Sequence, residues 1–163
     1  MRVASTMSDI LTVDPTSETE SAAAPFIIDT SVWARLPSKP EVRIALEALI
    51  GAHRPSSVLV CPPVVAEYGF GARTAAEHRA ISEALSAFVE CRIAPDSPIT
   101  LDIQLRVWRA GLVRGAGALD TVIAAYALAN DASVVHYDRD FELIARAVPE
   151  LKQRWIVPRG SVD

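Results

Sequence analysis

The sequence predicts a three-layer α/β/α sandwich with a central, mostly parallel sheet, and two features of the 163-residue chain carry this prediction. Short, uninterrupted apolar runs such as FIID (residues 26–29), SVLVC (57–61) and SVVHY (133–137) are typical of strands that are buried on both faces. Segments with helical periodicity separate these runs, and strands that alternate with helices form parallel sheets covered on both sides. Half of the residues are hydrophobic, which is enough for one core and one domain.

The remaining elements are predicted from periodicity and from proline placement. Pro62 and Pro63 follow the second strand and suit the first turn of a helix. In the segment from Pro98 to Arg114 one stripe of large apolar residues predicts an amphipathic helix; its members are Leu101, Leu105, Trp108 and Leu112. Further helices are expected at 41–50, 76–89, 120–130 and 141–148, and further strands at 91–94 and 154–157.

The amino-terminal segment differs in composition from the rest of the chain. Residues 1–25 hold four acids and one base, so they carry −3 of the chain's formal charge of −4. They lack the apolar core of a signal peptide. We expect a flexible tail at 1–25 and a folded domain at 26–163. The two isolated cysteines fit a reducing cytoplasm, and no apolar run is long enough for a transmembrane helix.

Acidic residues occur where the predicted strands end or the predicted helices begin. Asp29 ends the first apolar run, and Asp138 follows SVVHY, with Asp140 two residues further on. Glu67 lies about one turn into the helix after SVLVC, and Asp120 opens the buried helix that precedes SVVHY. Because ligands bind at the carboxyl ends of strands in open parallel sheets, one crevice is expected to collect these acids.

Such a cluster of carboxylates requires compensation. Two carboxylates about 5 Å apart repel each other by about 3 kcal/mol at an effective dielectric constant of about 20. Three or four of them cannot all stay ionised unless a proton or a cation enters. Ligands that offer only oxygen select a hard ion, Mg²⁺ or Mn²⁺, and such an ion can polarise a phosphodiester and prepare a water molecule for attack.

Each acid also has a purely structural explanation. Asp29 and Asp120 could serve only as helix caps, and Asp138 could form a turn and a cap before the next helix. Glu67 could be a solvated helix residue. His136 shares a strand face with Asp138, but we expect it to be packed or hydrogen-bonded and not to be a ligand.

Four stretches, in this order, resemble the successive motifs of the PIN-domain nucleases. They are FIIDTSVW (26–33), PPVVAEYGFG (62–71), ALDTVIAAYALAND (118–131) and SVVHYDRDFELIA (133–145). The chain looks most similar to the VapC toxins of bacterial VapBC toxin–antitoxin pairs. The similarity begins at Phe26 and leaves the first 25 residues outside.

The resemblance implies a metal-dependent ribonuclease of the cytoplasm that uses Mg²⁺ or Mn²⁺ and cleaves RNA, at tRNA or rRNA sites. It places Asp29 and Asp120 as principal metal ligands, Asp138 as a further ligand, and Glu67 as the group that orients or deprotonates the attacking water. Two more residues follow from the matched motifs: Asp140 is an accessory ligand, and Ser31 supports the first acid through its hydroxyl.

The resemblance also implies partners, namely a VapB-like antitoxin and a second copy of the chain. The candidate faces for a homodimer are Leu46–Ile50 and Ile81–Phe88, which core packing explains equally well. Possible contacts to RNA phosphates are Arg35, Arg73, Arg109, Arg114 and Arg139. Two alternatives remain open at this point: a non-catalytic module whose acidic cleft grips a basic partner, and a PIN nuclease of RNA processing that is not a toxin.

Overall fold

A five-stranded parallel sheet in the order β3-β2-β1-β4-β5 forms the centre of the computed structural model, which describes residues 24–162. The strands are β1 (Phe26–Ile28), β2 (Val58–Val60), β3 (Val89–Glu90), β4 (Ser133–His136) and β5 (Gln153–Trp155). The helices are α1 (Thr30–Trp33), α2 (Pro40–Gly51), α3 (Pro62–Phe70), α4 (Ala75–Leu85), α5 (Ser97–Arg109), α6 (Ala118–Ala129) and α7 (Arg139–Ala147).

The central strand β1 lies between β2 and β4, and the three residues of β1 are fully buried. Ile27 is aligned with Leu59 on one side and with Val134 on the other. Burying a side chain of this size contributes roughly 1.5–3 kcal/mol, so the uninterrupted apolar runs are explained by burial on both faces. The predicted α/β/α sandwich with a parallel sheet is confirmed.

Proline placement explains where two of the helices begin. The helix α2 starts at Pro40 and α3 starts at Pro62, where a missing backbone N–H costs nothing because the first turn has no acceptor for it. The predicted helix start at Pro62 is therefore confirmed.

The third strand lies earlier in the chain than the sequence indicates. The prediction placed a strand at residues 91–94, whereas β3 is Val89–Glu90 and pairs with Leu59 and Val60 of β2. The prediction was wrong because both β3 residues are exposed at the sheet edge, so they lack the buried apolar pattern on which it relied.

The apolar stripe identified in the sequence is not the face of α5 that packs against the core. The helix exists, but it ends at Arg109, and Ile103 and Val107 are the residues it buries. The predicted stripe faces outward instead: Leu101 is 62% exposed, Leu105 46% and Trp108 60%. Because α5 carries apolar residues on two faces, periodicity alone cannot choose the face that packs against the core.

The flexible tail predicted for residues 1–25 lies outside the described residues except for its last two positions. Within residues 24–162 we find no helix that combines the length and the apolar character needed to span a bilayer.

Candidate active site

The carboxyl ends of β1 and β4 form the crevice that the topology predicts for a ligand. The two strands are neighbours, but the chain leaves β1 towards β2 on one side and reaches β4 on the other, so the strand order reverses between them. Asp29 follows β1, and its N–H donates to Val135 of β4 at 2.9 Å. We call the group Asp29, Glu67, Asp120, Asp138 and Asp140 the acid crevice.

Asp29 lies deepest in the acid crevice, with only 3% of its surface exposed. Its Oδ2 accepts a hydrogen bond from Ser31 N at 2.8 Å and so caps α1. Its Oδ1 is buried and has no hydrogen-bond partner among the described residues. Burial is the main cause that raises the pKa of Asp29, against the opposing hydrogen bonds from Ser31. The charges of Glu67 and Asp138 raise it further.

Asp120 and Asp140 meet at one backbone amide. The N–H of Gly117, which precedes α6, donates to Oδ2 of both carboxylates, at 2.9 Å in each case. Burial is the largest cause that raises the pKa of Asp120 to about 7. The charges of three neighbouring carboxylates raise it further, in the order Asp29, Asp140 and Asp138. The carboxylates are therefore close enough to oppose one another's ionisation.

Asp138 is held by hydrogen bonds of both its side chain and its backbone N–H. Its Oδ1 accepts from Asp140 N at 3.0 Å and caps α7, and its N–H donates to His136 Nδ1 at 3.1 Å. Because Nδ1 accepts that bond, the ring proton lies on Nε2 of a neutral imidazole, and Nε2 donates to Gln153 Oε1 at 2.6 Å. Burial lowers the pKa of His136. The prediction that His136 is a packed, hydrogen-bonded residue is confirmed.

Ser31 joins the two strand ends that carry Asp29 and Asp138. Its N–H binds Asp29, while its Oγ accepts a hydrogen bond from Tyr137 N at 2.9 Å. This pair of bonds ties the segment after β1 to the segment after β4. The hydroxyl therefore has a structural task at the crevice, whatever further role the resemblance implies.

Glu67 is the exposed member of the acid crevice. It lies on the surface of α3, which contacts both α1 and α6, the helices that follow Asp29 and contain Asp120. Its charge reaches Asp29. The structure thus brings together all five acids that the sequence singled out, and three of them also serve as caps.

An acid can cap a helix and still bind a ligand in the crevice, because each named capping bond uses only one of the two carboxylate oxygens. No three His, Cys, Asp or Glu side chains within the described part of the chain are grouped tightly enough to chelate an ion by themselves. Mg²⁺ typically keeps several waters and uses one or two carboxylates together with substrate phosphates, so it does not require three tightly grouped side chains. A bound cation would compensate both the unpartnered Oδ1 of Asp29 and the charge repulsion that raises the pKa of Asp120.

The cysteines do not belong to this site. Burial raises the pKa of Cys61 to about 12 and that of Cys91 to about 11, so both thiols stay protonated near neutral pH. Both cysteines are free.

Two contributors were not predicted from the sequence: Gly117, which bridges two acids, and Gln153, which orients His136. A Cβ on Gly117 would lie 2.5 Å from Asp120 Oδ2, although its φ of −67° suits any residue. The signal available in the sequence was a glycine three residues before Asp120, the spacing at which a helix-start residue and an acid exchange hydrogen bonds.

Two of the five predicted arginines, Arg35 and Arg139, lie beside residues of the crevice. Arg35 donates to Ser31 O at 2.8 Å, and its guanidinium lies 4.5 Å from the centre of the Tyr137 ring, which places it at the crevice rim. Arg139 is the first residue of α7, next to Asp138. Arg73 follows α3 and is exposed.

The chain belongs to the PIN domain family, which matches residues 26–147. Ribonuclease VapC51 of Mycobacterium tuberculosis is 38% identical over 143 residues, covering 86% of this chain and 99% of the relative. Ribonuclease VapC18 of the same species is 29% identical over 143 residues, covering 84% of this chain and 98% of the relative. These similarities confirm the resemblance predicted from the four motifs.

A solved structure supports the fold. VapBC2 from Rickettsia felis bound to a DNA fragment from their promoter contains a chain that superposes with a TM-score of 0.61. The match covers 80% of this chain and 97% of the other, at 17% sequence identity. At that level of identity the likeness concerns the fold alone.

Proposed function

We propose that this chain is a metal-dependent endoribonuclease of the VapC type, the toxin of a type II toxin–antitoxin pair. The observation that carries the proposal is Asp29, whose Oδ1 is buried and unpartnered among the described residues and whose carboxylate lies near those of Glu67, Asp120 and Asp138. Such an arrangement can ionise fully only when a cation compensates its charge. The similarity to proteins named ribonuclease supports RNA as the substrate.

The donor set suits Mg²⁺ or Mn²⁺, because it consists of carboxylate oxygens only. Asp29 and Asp120 are the proposed principal ligands, Asp138 is a further ligand, and Asp140 is an accessory one. When bound, the ion supplies positive charge that stabilises the charge developing on the scissile phosphate. RNA is the substrate, so the cytoplasm is the proposed location.

The protein's own residues then position the reactants. Glu67, exposed on α3, is proposed to orient the attacking water and to take its proton as the water oxygen bonds to phosphorus. The bond from phosphorus to the leaving nucleotide oxygen breaks, and that oxygen takes a proton from solvent. Gly117 and Ser31 hold the ligands in place, the former through Asp120 and Asp140 and the latter through Asp29.

A cleavage assay tests the proposal. The purified protein should cleave RNA in Mg²⁺ or Mn²⁺ and lose this activity in chelator. Asp29→Asn and Asp120→Asn should each lower the rate by at least about 100-fold while the circular dichroism spectrum stays native. Asp96→Asn is the matched control, since Asp96 is an exposed acid at the start of α5 that makes no capping bond with its side chain.

The assay also separates the alternatives. Cleavage that survives both crevice substitutions, or that is indifferent to chelator, rejects the nuclease proposal. A protein that binds a basic peptide through the acid crevice without cleaving RNA is instead a binding module. A small gene for a basic partner directly upstream distinguishes a toxin from a nuclease of RNA processing.

A VapB-like antitoxin is the proposed protein partner. The acid crevice offers five carboxylates, and an arginine or lysine side chain from a partner would supply the positive charge that a metal ion otherwise brings. Inhibition by such a partner is thus proposed to compete directly with metal binding.

A second copy of the chain is the other proposed partner, through a face that the sequence analysis did not name as a dimer face. The large apolar side chains of the faces Leu46–Ile50 and Ile81–Phe88 lie in or against the core, so they are not free for a dimer. The α5 stripe (Leu101, Leu105 and Trp108) is exposed instead. Its spacing of four and three residues forms one helical face, which a two-fold axis can pack against itself.

A further inference from the structure

An open hollow of about 540 Å³ lies where α3 turns into α4, separate from the acid crevice. Phe70, Arg73 and His78 are among its lining residues. The Phe70 side chain, at the last position of α3, is 92% exposed, the highest value among the exposed large hydrophobic residues of the described chain. The volume falls within the range of sites that bind small molecules.

The hollow is adjacent to the acid crevice along a single helix. Phe70 follows Glu67 by three residues on α3, and residues three apart are neighbours on one helix face. The two positions are separated by a rise of about 4.5 Å along the helix axis. A strand of RNA with its scissile phosphate at the crevice would therefore pass Phe70 within about one nucleotide.

The hollow is basic, whereas the acid crevice is negatively charged. Its described lining contains Arg73 and His78 but no acid. The nearby Glu77 carboxylate accepts from Arg73 N at 2.8 Å, and the Arg73 guanidinium forms no ion pair within residues 24–162. Gly69 lets the His78 ring approach α3, because a Cβ there would lie 3.2 Å from His78 Nε2.

We propose that this hollow binds a nucleobase of single-stranded RNA next to the cleaved bond, with the base stacked on Phe70 and an adjoining phosphate paired with Arg73. This inference rests on the proposed function and adds a specificity subsite to it. An exposed aromatic ring beside an unpaired arginine is the combination that binds single strands, since every base offers a flat face and every link carries a phosphate. Lack of acid in the lining favours a polyanion over a basic protein segment.

Binding of a fluorescein-labelled 12-nucleotide RNA to the full chain, measured by anisotropy in the Asp29→Asn background, tests the proposal without cleavage. Phe70→Ala should weaken binding about 5- to 150-fold, the effect typical of losing one stacked base, and Phe70→Tyr should restore it. Arg73→Gln should lower the slope of log affinity against log salt by about 0.7, the value for one phosphate contact on a single strand. Arg79→Gln, an exposed arginine on α4 outside the lining, should leave the slope unchanged.

A series of RNAs with one abasic nucleotide at each successive position locates the base. At one position near the cleaved bond, removal of the base should weaken binding to the parent protein but not to the Phe70→Ala variant. If Phe70→Ala and Arg73→Gln bind every RNA with the affinity of the parent protein, the subsite does not exist. A protein partner would then be the remaining candidate ligand of the hollow. Cleavage by the wild-type chain is scored separately, so failure of the nuclease proposal is distinguishable from failure of the subsite.

Discussion

Asp120 and Asp140 accept hydrogen bonds from the same N–H group, that of Gly117, at 2.9 Å each. One donor thus holds two carboxylates that come from different helices and that repel each other. Because the donor is a backbone amide at a helix start, its direction is set by α6 and not by a mobile side chain. The bond defines where two of the five acids of the crevice can lie.

We expect Gly117→Ala to impair catalysis without unfolding the protein. The backbone conformation suits alanine, but the added Cβ would lie 2.5 Å from Asp120 Oδ2 and displace that carboxylate. A misplacement of about 1 Å in a catalytic group can cost about 100-fold in rate. RNA cleavage rate and Mg²⁺ affinity by calorimetry are the measurements. Gly51→Ala, where a Cβ meets nothing within 4 Å, is the control, and equal rates for the two variants would contradict the prediction.

Ser31→Ala should reduce both stability and activity. It removes the acceptor for Tyr137 N, which is one direct link between the segments after β1 and β4. Leaving a buried donor without a partner costs about 1–3 kcal/mol of unfolding free energy, which urea denaturation would measure. Ser82→Ala, at an exposed position of α4, should leave both properties unchanged. A normal unfolding midpoint for Ser31→Ala would show that this link is dispensable.

The metal-free protein should lose stability as the pH rises from about 4 to about 7. The folded protein holds a proton on Asp120 up to a pKa of about 7, whereas the unfolded chain releases it near 3.8, so deprotonation favours unfolding in this window. We expect Asp120→Asn to raise the unfolding free energy at pH 8 by about 1–2 kcal/mol, discounted because the side chain is partly exposed.

Thermal unfolding in chelator at pH 4 and pH 8 measures this effect, and the advantage of Asp120→Asn should vanish at pH 4. Adding Mg²⁺ at pH 8 should stabilise the wild-type chain, because a ligand that binds only the folded state shifts the equilibrium towards it. The variant should gain less. A wild-type protein whose melting temperature is independent of both pH and Mg²⁺ would argue against a strained acid cluster.

Trp108→Glu and Leu105→Glu should convert the proposed dimer into a monomer. Each places a charge within the α5 stripe, where a second copy would bury it. Light scattering after size-exclusion chromatography measures the mass. Ile44→Glu, on α2, is the control, since Ile44 is 62% exposed, as much as Leu101, but lies on another helix. Loss of the dimer in the control, or its persistence in both test variants, would exclude this interface.

Local patterns predicted the elements because burial leaves a direct trace in the sequence. The apolar runs that became β1 and β4 are uninterrupted since both faces of these strands are covered. The sequence does not predict the packing correctly where burial is incomplete or where a helix has two apolar faces. The edge strand β3 is exposed, and α5 presents apolar residues on two faces, of which the core takes Ile103 and Val107.

The sequence by itself determined the layered fold, the family and the acids at the strand ends, because each of these depends on residue types at short spacing. Only the tertiary structure decided how the acids are held: Gly117 between Asp120 and Asp140, and Ser31 against Tyr137. The bonds from Gly117 to Asp140 and from Tyr137 to Ser31 join residues that are remote in the chain. Their directionality depends on where the strands and helices finally pack, which no local pattern of side chains encodes.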